Sequence, residues 1–217
     1  MKNLKSERKN KFKKTNLRHL SLFSGIGGFD LAAQWAGWNN ICQIEIDKYC
    51  QKILQKNFIN VKKYLNIKDF NETEAKKYKG AIDVISGGFP CQPFSISGKR
   101  KGSADNRYLW KEMFKTIQII KPKWVVIENV QGILNIENGM VFEKCCSDLE
   151  TEGFEVEAYL IPAVAVDCCH LRERVWIVAH SVVSRRRWSG NSSKIFEKKE
   201  KKNISKASNK VLSSNDK

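Results

Sequence analysis

Histidines, prolines and regularly spaced cysteines are what this chain of 217 residues is short of. It has three histidines and four prolines, and its seven cysteines (Cys42, Cys50, Cys91, Cys145, Cys146, Cys168 and Cys169) are odd in number with no Cys-x-x-Cys spacing. A structural zinc site draws on such pairs, so no metal site is expected. No apolar run approaches the roughly 20 residues of a membrane helix, and the N-terminus lacks the apolar core of a signal peptide. The expectation is therefore a reduced, cytoplasmic protein with no membrane partner. There is no internal repeat. A dinucleotide fingerprint would need a third glycine at position 30, where Asp30 stands, which argues against NAD or FAD.

The chain also lacks net charge in its middle. Of the formal +16, residues 1–18 carry eight basic and one acidic side chain, and residues 181–217 carry eleven basic and three acidic. Residues 19–180 hold 20 basic and 19 acidic groups, so the excess belongs to the two ends. Such ends suit non-specific phosphate contact or are simply solvated. The organisation that follows is a basic arm over 1–16, one domain over 17–180 and a basic, low-complexity tail over 181–217 that cannot build a core of its own.

Within 17–180 the pattern alternates strand and helix. Leu20 to Phe23 reads as a first strand, then Ser24-Gly25-Ile26-Gly27-Gly28 as a turn, then Phe29 to Trp38 as a helix. Strand, glycine turn and helix N-terminus make a cradle of phosphate or nucleotide size. Ile41 to Ile46 reads as the second strand and holds Glu45, twenty residues after Gly25. An acid there either takes ribose hydroxyls or is an ordinary strand-end carboxylate. Asp47 to Phe58 reads as a helix, Val61 to Leu65 as a weak strand closed by Asn66 to Asp69, and Lys76 to Gly80 as a turn. Ala81 to Ile85, Trp124 to Ile127, Glu155 to Ile161 and Val175 to Ala179 read as strands; Arg107 to Ile120 and Met140 to Glu152 read as helices.

Two strands end on chemistry. Ala81 to Ile85 leads into Gly87-Gly88-Phe89-Pro90-Cys91-Gln92-Pro93-Phe94-Ser95, where two glycines and two of the four prolines fix the backbone around one cysteine. Cys91 is a candidate nucleophile, since turn N–H groups lower a thiol pKa from about 8.5; the alternative is a small buried apolar residue. The following run, Ser97 to Gly102, is basic and suits either a phosphate backbone or solvent. Trp124 to Ile127 leads into Glu128-Asn129-Val130, a carboxylate that would make an acid–nucleophile couple with Cys91. Arg172 and Arg174, two apart on an extended chain, would project to one side and suit an anion, a carboxylate or a surface ion pair.

Taken in order, Phe23 to Gly28, Phe89-Pro90-Cys91-Gln92, Glu128-Asn129-Val130 and Arg172-Glu173-Arg174-Val175 resemble the DNA cytosine-5 methyltransferases that use S-adenosylmethionine. The resemblance covers about residues 17–180. It implies an α/β fold, the Rossmann-like class I methyltransferase, with a mostly parallel sheet and helices on both faces. It implies that Cys91 attacks cytosine C6, that Glu128 hydrogen-bonds at ring N3, that Asn129 holds its loop, and that Arg172 and Arg174 orient the glutamate and the base. On the cofactor side it implies Phe23, Gly25, Ile26, Gly27 and Gly28 along the S-adenosylmethionine, Glu45 on the ribose and Ile46 on the adenine. Asn66 and Ile67 fall where relatives carry an acidic residue toward the adenine, a contact that Asp69 could take instead, and Pro90 and Leu109 complete the pocket.

The resemblance further implies double-stranded DNA as partner and a flipped cytosine, at a cost of a few kcal/mol. Contacts to offset it are expected from Gln92, Ser95, Lys99 and Arg107. The setting it suggests is a prokaryotic, phage or mobile-element restriction-modification system. After Arg174 the family continues into a target-recognition region and two further segments, which this sequence does not show; residues 181–217 look like its opening only. Asp167-Cys168-Cys169 replaces a Gly-Ala-Pro-like turn. Two readings follow: a catalytic half that works alone or with a second polypeptide supplying target recognition, or a catalytically silent cofactor- or DNA-binding remnant.

Overall fold

The computed structural model describes residues 15–90 and 109–182. The chain divides into two units, Met1–Ser181 and Val182–Lys217, and all elements below belong to the first. In chain order they are β1 (Arg18–Leu22), α1 (Gly28–Trp35), β2 (Asn39–Ile44), α2 (Lys48–Asn57), β3 (Lys62–Tyr64), α3 (Ile67–Thr73), β4 (Val84–Gly87), α4 (Trp110–Ile120), β5 (Trp124–Val130), α5 (Met140–Thr151), β6 (Phe154–Pro162) and β7 (Glu173–Ser181). None of the described helices is long and apolar enough to cross a membrane.

The strands form one seven-stranded sheet in the order β3-β2-β1-β4-β5-β7-β6. The first five run parallel, and β7 runs antiparallel to both of its neighbours. Parallel strands are buried on both faces and so read as continuous apolar runs; Leu20, Leu22, Ile85, Val125 and Ile127 are all fully buried. The order reverses direction at β1 and β4, which places a ligand crevice at the carboxyl ends of these strands.

The helices follow their apolar spacing. α4 buries Trp110, Met113, Ile117 and Ile120, and α5 buries Val141, Cys145 and Leu149, each set at three- and four-residue intervals. These two pack with α3 on one side of the sheet, against Val125, Ile127, Val175, Ile177 and Ala179. α1 lies on the other side. There the ladders set Val126 opposite Val178, Glu128 opposite Trp176, and Trp176 opposite Tyr159. A groove of about 500 Å³ runs between α1 and this face, lined by Phe29, Ala32, Trp38, Val126 and Trp176 among others. Tyr159 is 47% exposed. Helices therefore lie on both faces of the sheet, and Phe29 of α1 meets Trp176 of β7 edge-on with ring centroids 5.9 Å apart.

Several boundaries differ from the sequence reading. The second strand ends at Ile44, so Glu45 is the first residue beyond it. β4 starts at Val84 rather than Ala81 because the Asp83 carboxylate turns to Arg18 (Nε 2.8 Å) and Lys123 (Nζ 2.7 Å) at the amino edge of the sheet. Burial alone would push the Asp83 carboxyl up, but the hydrogen bonds from Arg18 and Lys123 outweigh it and hold it well below the usual carboxylate range. Asn66 to Asp69, read as the close of the third strand, is also the start of α3: Asn66 caps it by accepting from the Lys68 N–H at 2.9 Å, and Ile67 and Phe70 are buried beneath it. Among the described residues α4 begins at Trp110, with Leu109 at its N-cap.

Candidate functional site

Strand register builds the site. Tyr64 pairs with Ile44, Ile44 with Leu22, Leu22 with Gly87, and Gly87 with Ile127. The next residue on each parallel strand therefore leaves the sheet at the same edge: Leu65, Glu45, Phe23 and Gly88, with Glu128 continuing β5. Because β7 is antiparallel, its first residues, Glu173 and Arg174, arrive at that edge too.

On the left of this edge the chain turns tightly after β1. Phe23 takes a left-handed backbone (φ 52°), and Gly25 and Gly27 do the same. Only glycine fits at position 27, where φ is 95° and an added Cβ would stand 2.4 Å from the Phe58 ring. Glu45 locks this turn across the strand gap. One carboxylate oxygen accepts from the Gly25 N–H (2.7 Å) and the other from the Asp47 N–H (2.8 Å). A carboxylate has about four acceptor positions, so Glu45 keeps capacity for a pair of hydroxyls. Beside it Ile46 is 71% exposed, and Ile26 is exposed on the turn, so apolar surface flanks an anionic acceptor. A tight turn, a carboxylate that can accept from a diol and an apolar shelf together suit a nucleoside. Gly28 starts α1 and is exposed. Ile67 is buried in the core, and the Asn66 side-chain oxygen is engaged as the helix cap.

On the right, Glu128 is held from two sides. Its Oε1 pairs with Arg174 Nε at 2.7 Å. Its Oε2 lies where a Cβ on Gly88 would stand only 2.9 Å away, so the bare backbone of Gly88 makes room for this carboxylate. Asn129 fastens the same loop: its side-chain N–H donates to the Phe89 carbonyl at 3.1 Å, and its side-chain oxygen accepts from the Val130 N–H at 2.8 Å. Phe89 is buried against Trp110, and Pro90 is exposed at the point where the described residues stop. Cys91, Gln92, Ser95, Lys99 and Arg107 lie outside the described residues.

Arg172 is not related to Arg174 by strand alternation. It precedes β7, is exposed, and has φ 29°, because the β6–β7 connection closes with the Ala163 N–H donating to the Leu171 carbonyl and the chain turns at the next residue. Among the described residues it is Arg174 that pairs with Glu128. The residue that sequence reasoning did not single out is Gly88. Its signal was available: a second glycine directly before Phe-Pro-Cys, one register step from the glutamate strand.

The family model for C-5 cytosine-specific DNA methylase matches residues 17–217. The chain belongs to the C-5 cytosine-specific DNA methylase family. Among similar members, the type II methyltransferase M.HhaI of Haemophilus parahaemolyticus is 33% identical over 165 residues, 76% of this chain and 49% of that protein. The type II methyltransferase M.Eco47II of Escherichia coli is 34% identical over 164 residues, 74% of this chain and 38% of that protein. In solved structures, a DNMT2 variant of Spodoptera frugiperda shares the fold with a TM-score of 0.62 at 22% identity, over 76% of this chain and 50% of that one. The Dnmt2 methyltransferase of S. pombe does so with a TM-score of 0.59. This methylase chain spans about half the length, or less, of the curated relatives it matches.

Proposed function

We propose that this chain is the catalytic half of an enzyme that transfers a methyl group from S-adenosylmethionine to C5 of cytosine in double-stranded DNA. The observation that carries the reading is the carboxylate of Glu128, paired with Arg174 and seated over Gly88, on the same sheet edge as the Glu45-locked glycine turn. Cys91 follows Gly88 by three residues, a reach of at most about 10 Å. Its thiolate would bond to cytosine C6, and Glu128, acting in its acid form, would give its proton to ring N3 and so neutralise the charge pushed into the ring. Carbon 5 then becomes the nucleophile that accepts the methyl group the cofactor supplies. Loss of the C5 proton and release of Cys91 complete the cycle. Arg174 holds the glutamate, Asn129 ties the nucleophile's loop to β5, and Glu45 with Phe23, Gly25, Ile46 and Leu109 receives the cofactor. Gln92, Ser95, Lys99 and Arg107 are the assigned DNA contacts.

The test is a covalent trap. The chain is incubated with S-adenosylmethionine and duplex DNA carrying 5-fluorocytosine, alone and with a candidate partner, and run on a denaturing gel. An adduct that disappears in Cys91→Ala supports the reading; no adduct under any of these conditions refutes it. A second reading is a catalytically silent cofactor- or DNA-binding protein. Calorimetric cofactor binding with no methyl transfer would select it.

A further inference from the structure

A seam of buried polar side chains runs beneath the glycine turn, and none of it belongs to the site above. His19, fully buried on β1, meets Asn40 Oδ1 through Nδ1 (2.7 Å) and Ser86 Oγ through Nε2 (2.7 Å). Asn40 donates its side-chain N–H to the Asp30 carbonyl at 2.9 Å, which fixes its oxygen as the acceptor facing His19. Burial pushes the His19 ring down, so the neutral ring donates at Nδ1 and accepts at Nε2. Nearer the turn, Ser21 Oγ donates to Ser24 Oγ (2.9 Å), and the Ser24 N–H donates to the Ile44 carbonyl (3.1 Å).

Two members of the seam stand out. Asp30, in the first turn of α1, and Gln43, on β2, are fully inaccessible to solvent. The Gln43 and Ser21 side chains approach the Asp30 carboxyl, yet neither of its oxygens, nor either polar atom of the Gln43 amide, finds a hydrogen bond of full geometry. Buried polar groups in that state are costly, and apolar residues of similar shape would be cheaper to fold. Their placement offers a reason to keep them. Gln43 lies on β2, two residues before Glu45, which follows directly on the end of the strand. Asp30 lies three residues after Gly27, the N-cap of α1. The pair thus joins the helix that follows the turn to the strand that carries the turn's acceptor.

We propose that Asp30 and Gln43 are a positioning pair that sets the glycine turn against Glu45, and so fixes the geometry offered to a nucleoside cofactor. This rests on the reading of the turn as the cofactor cradle. The working form of Asp30 is the neutral acid: burial pushes its carboxyl up, against smaller opposing contributions from Gln43, His19 and Ser21. The other titratable groups that sense it are His19 on β1, Cys42 on β2 and Lys63 on β3. An ionised carboxylate in this seam would draw the Gln43 amide and the Ser21 hydroxyl toward itself and shift the turn.

Calorimetric titration of the full chain with S-adenosylhomocysteine between pH 6 and 8.5 tests this. In the wild type, affinity should fall as pH rises. Asp30→Asn, which keeps the shape and the hydrogen bonding of the acid form, should bind within about threefold of the wild type at pH 6 and show only the ligand's own pH dependence. Asp30→Leu should lose at least tenfold in affinity while its thermal midpoint holds or rises. Wild-type binding that Asp30→Leu leaves unchanged, or a pH profile that Asp30→Asn leaves as steep as before, removes this role alone. A wild-type chain that takes up no nucleoside cofactor at any pH removes the cradle reading and this role with it.

Discussion

Replacing Gly88 by alanine adds one methyl group where the structure leaves room for a carboxylate. The new Cβ would sit 2.9 Å from Glu128 Oε2 and 3.4 Å from the Glu128 carbonyl oxygen. Carbon–oxygen contacts settle at about 3.3–3.6 Å, so the carboxylate must retreat by about half an ångström. It cannot do so freely, because Arg174 Nε holds the other oxygen at 2.7 Å and the two side chains are 20% and 30% exposed. Stretching a partly solvated ion pair costs about 1 kcal/mol or less. Alanine also narrows the unfolded ensemble, which returns roughly 0.4–1 kcal/mol, and the net change in stability should stay within about 1 kcal/mol. The rate should respond far more, since a misplacement approaching 1 Å at a reacting group can cost about 100-fold. We expect Gly88→Ala to slow adduct formation with 5-fluorocytosine DNA by about 10- to 100-fold while its urea midpoint hardly moves. Trapping at the wild-type rate would show that Glu128 is not held where the reaction needs it. A loss of activity that merely tracks unfolding would refute the reasoning equally.

Gly27→Ala should destabilise the chain by at least about 2 kcal/mol, because it meets the Phe58 ring at 2.4 Å in a backbone that L-residues rarely adopt; thermal denaturation reads this. Asn129→Ala removes the tie to the Phe89 carbonyl and the Val130 N–H, and should cost about 1–3 kcal/mol together with slower trapping. The Asp83 carboxyl titrates below its unfolded value of about 3.9, so the unfolded chain binds the proton first as pH drops. Its contribution is complete above that value and vanishes as pH falls through the folded one. Urea midpoints between pH 2 and 6 should therefore fall more steeply for the wild type than for Asp83→Asn. At pH 7 the variant should be weaker by about 1–2 kcal/mol, a figure kept low by the solvent reached by Arg18 and Lys123.

Much of the framework could be read from residues alone because central parallel strands leave continuous apolar runs, as Trp124 to Ile127 does, and because a glycine turn between strand and helix has few other uses. The two carboxylates at the sheet edge, Glu45 and Glu128, were noticeable because each interrupts an apolar run, although β5 continues through Glu128 to Val130 rather than ending before it. What escaped the pattern was polar chemistry turned inward. α3 carries only two apolar residues in seven, so periodicity was silent there, although Asn66 followed by Asp69 is a helix start. Asp83 inside an apolar run looked like strand and is an anchor for two cations. Arg172 looked like the twin of Arg174, and only the closure of the β6–β7 connection shows that the backbone reverses between them. His19, Asn40, Asp30 and Gln43 are scattered over a helix and two strands, and their meeting is a tertiary fact with no linear signature.

The aromatic side of β5, β7 and β6, where Trp176 and Tyr159 face away from α4 and α5, meets α1 only through the edge-on contact of Phe29 with Trp176 among the described ring contacts. A molecule that held this face in the folded state alone would raise the melting temperature by an amount that grows with the logarithm of its concentration.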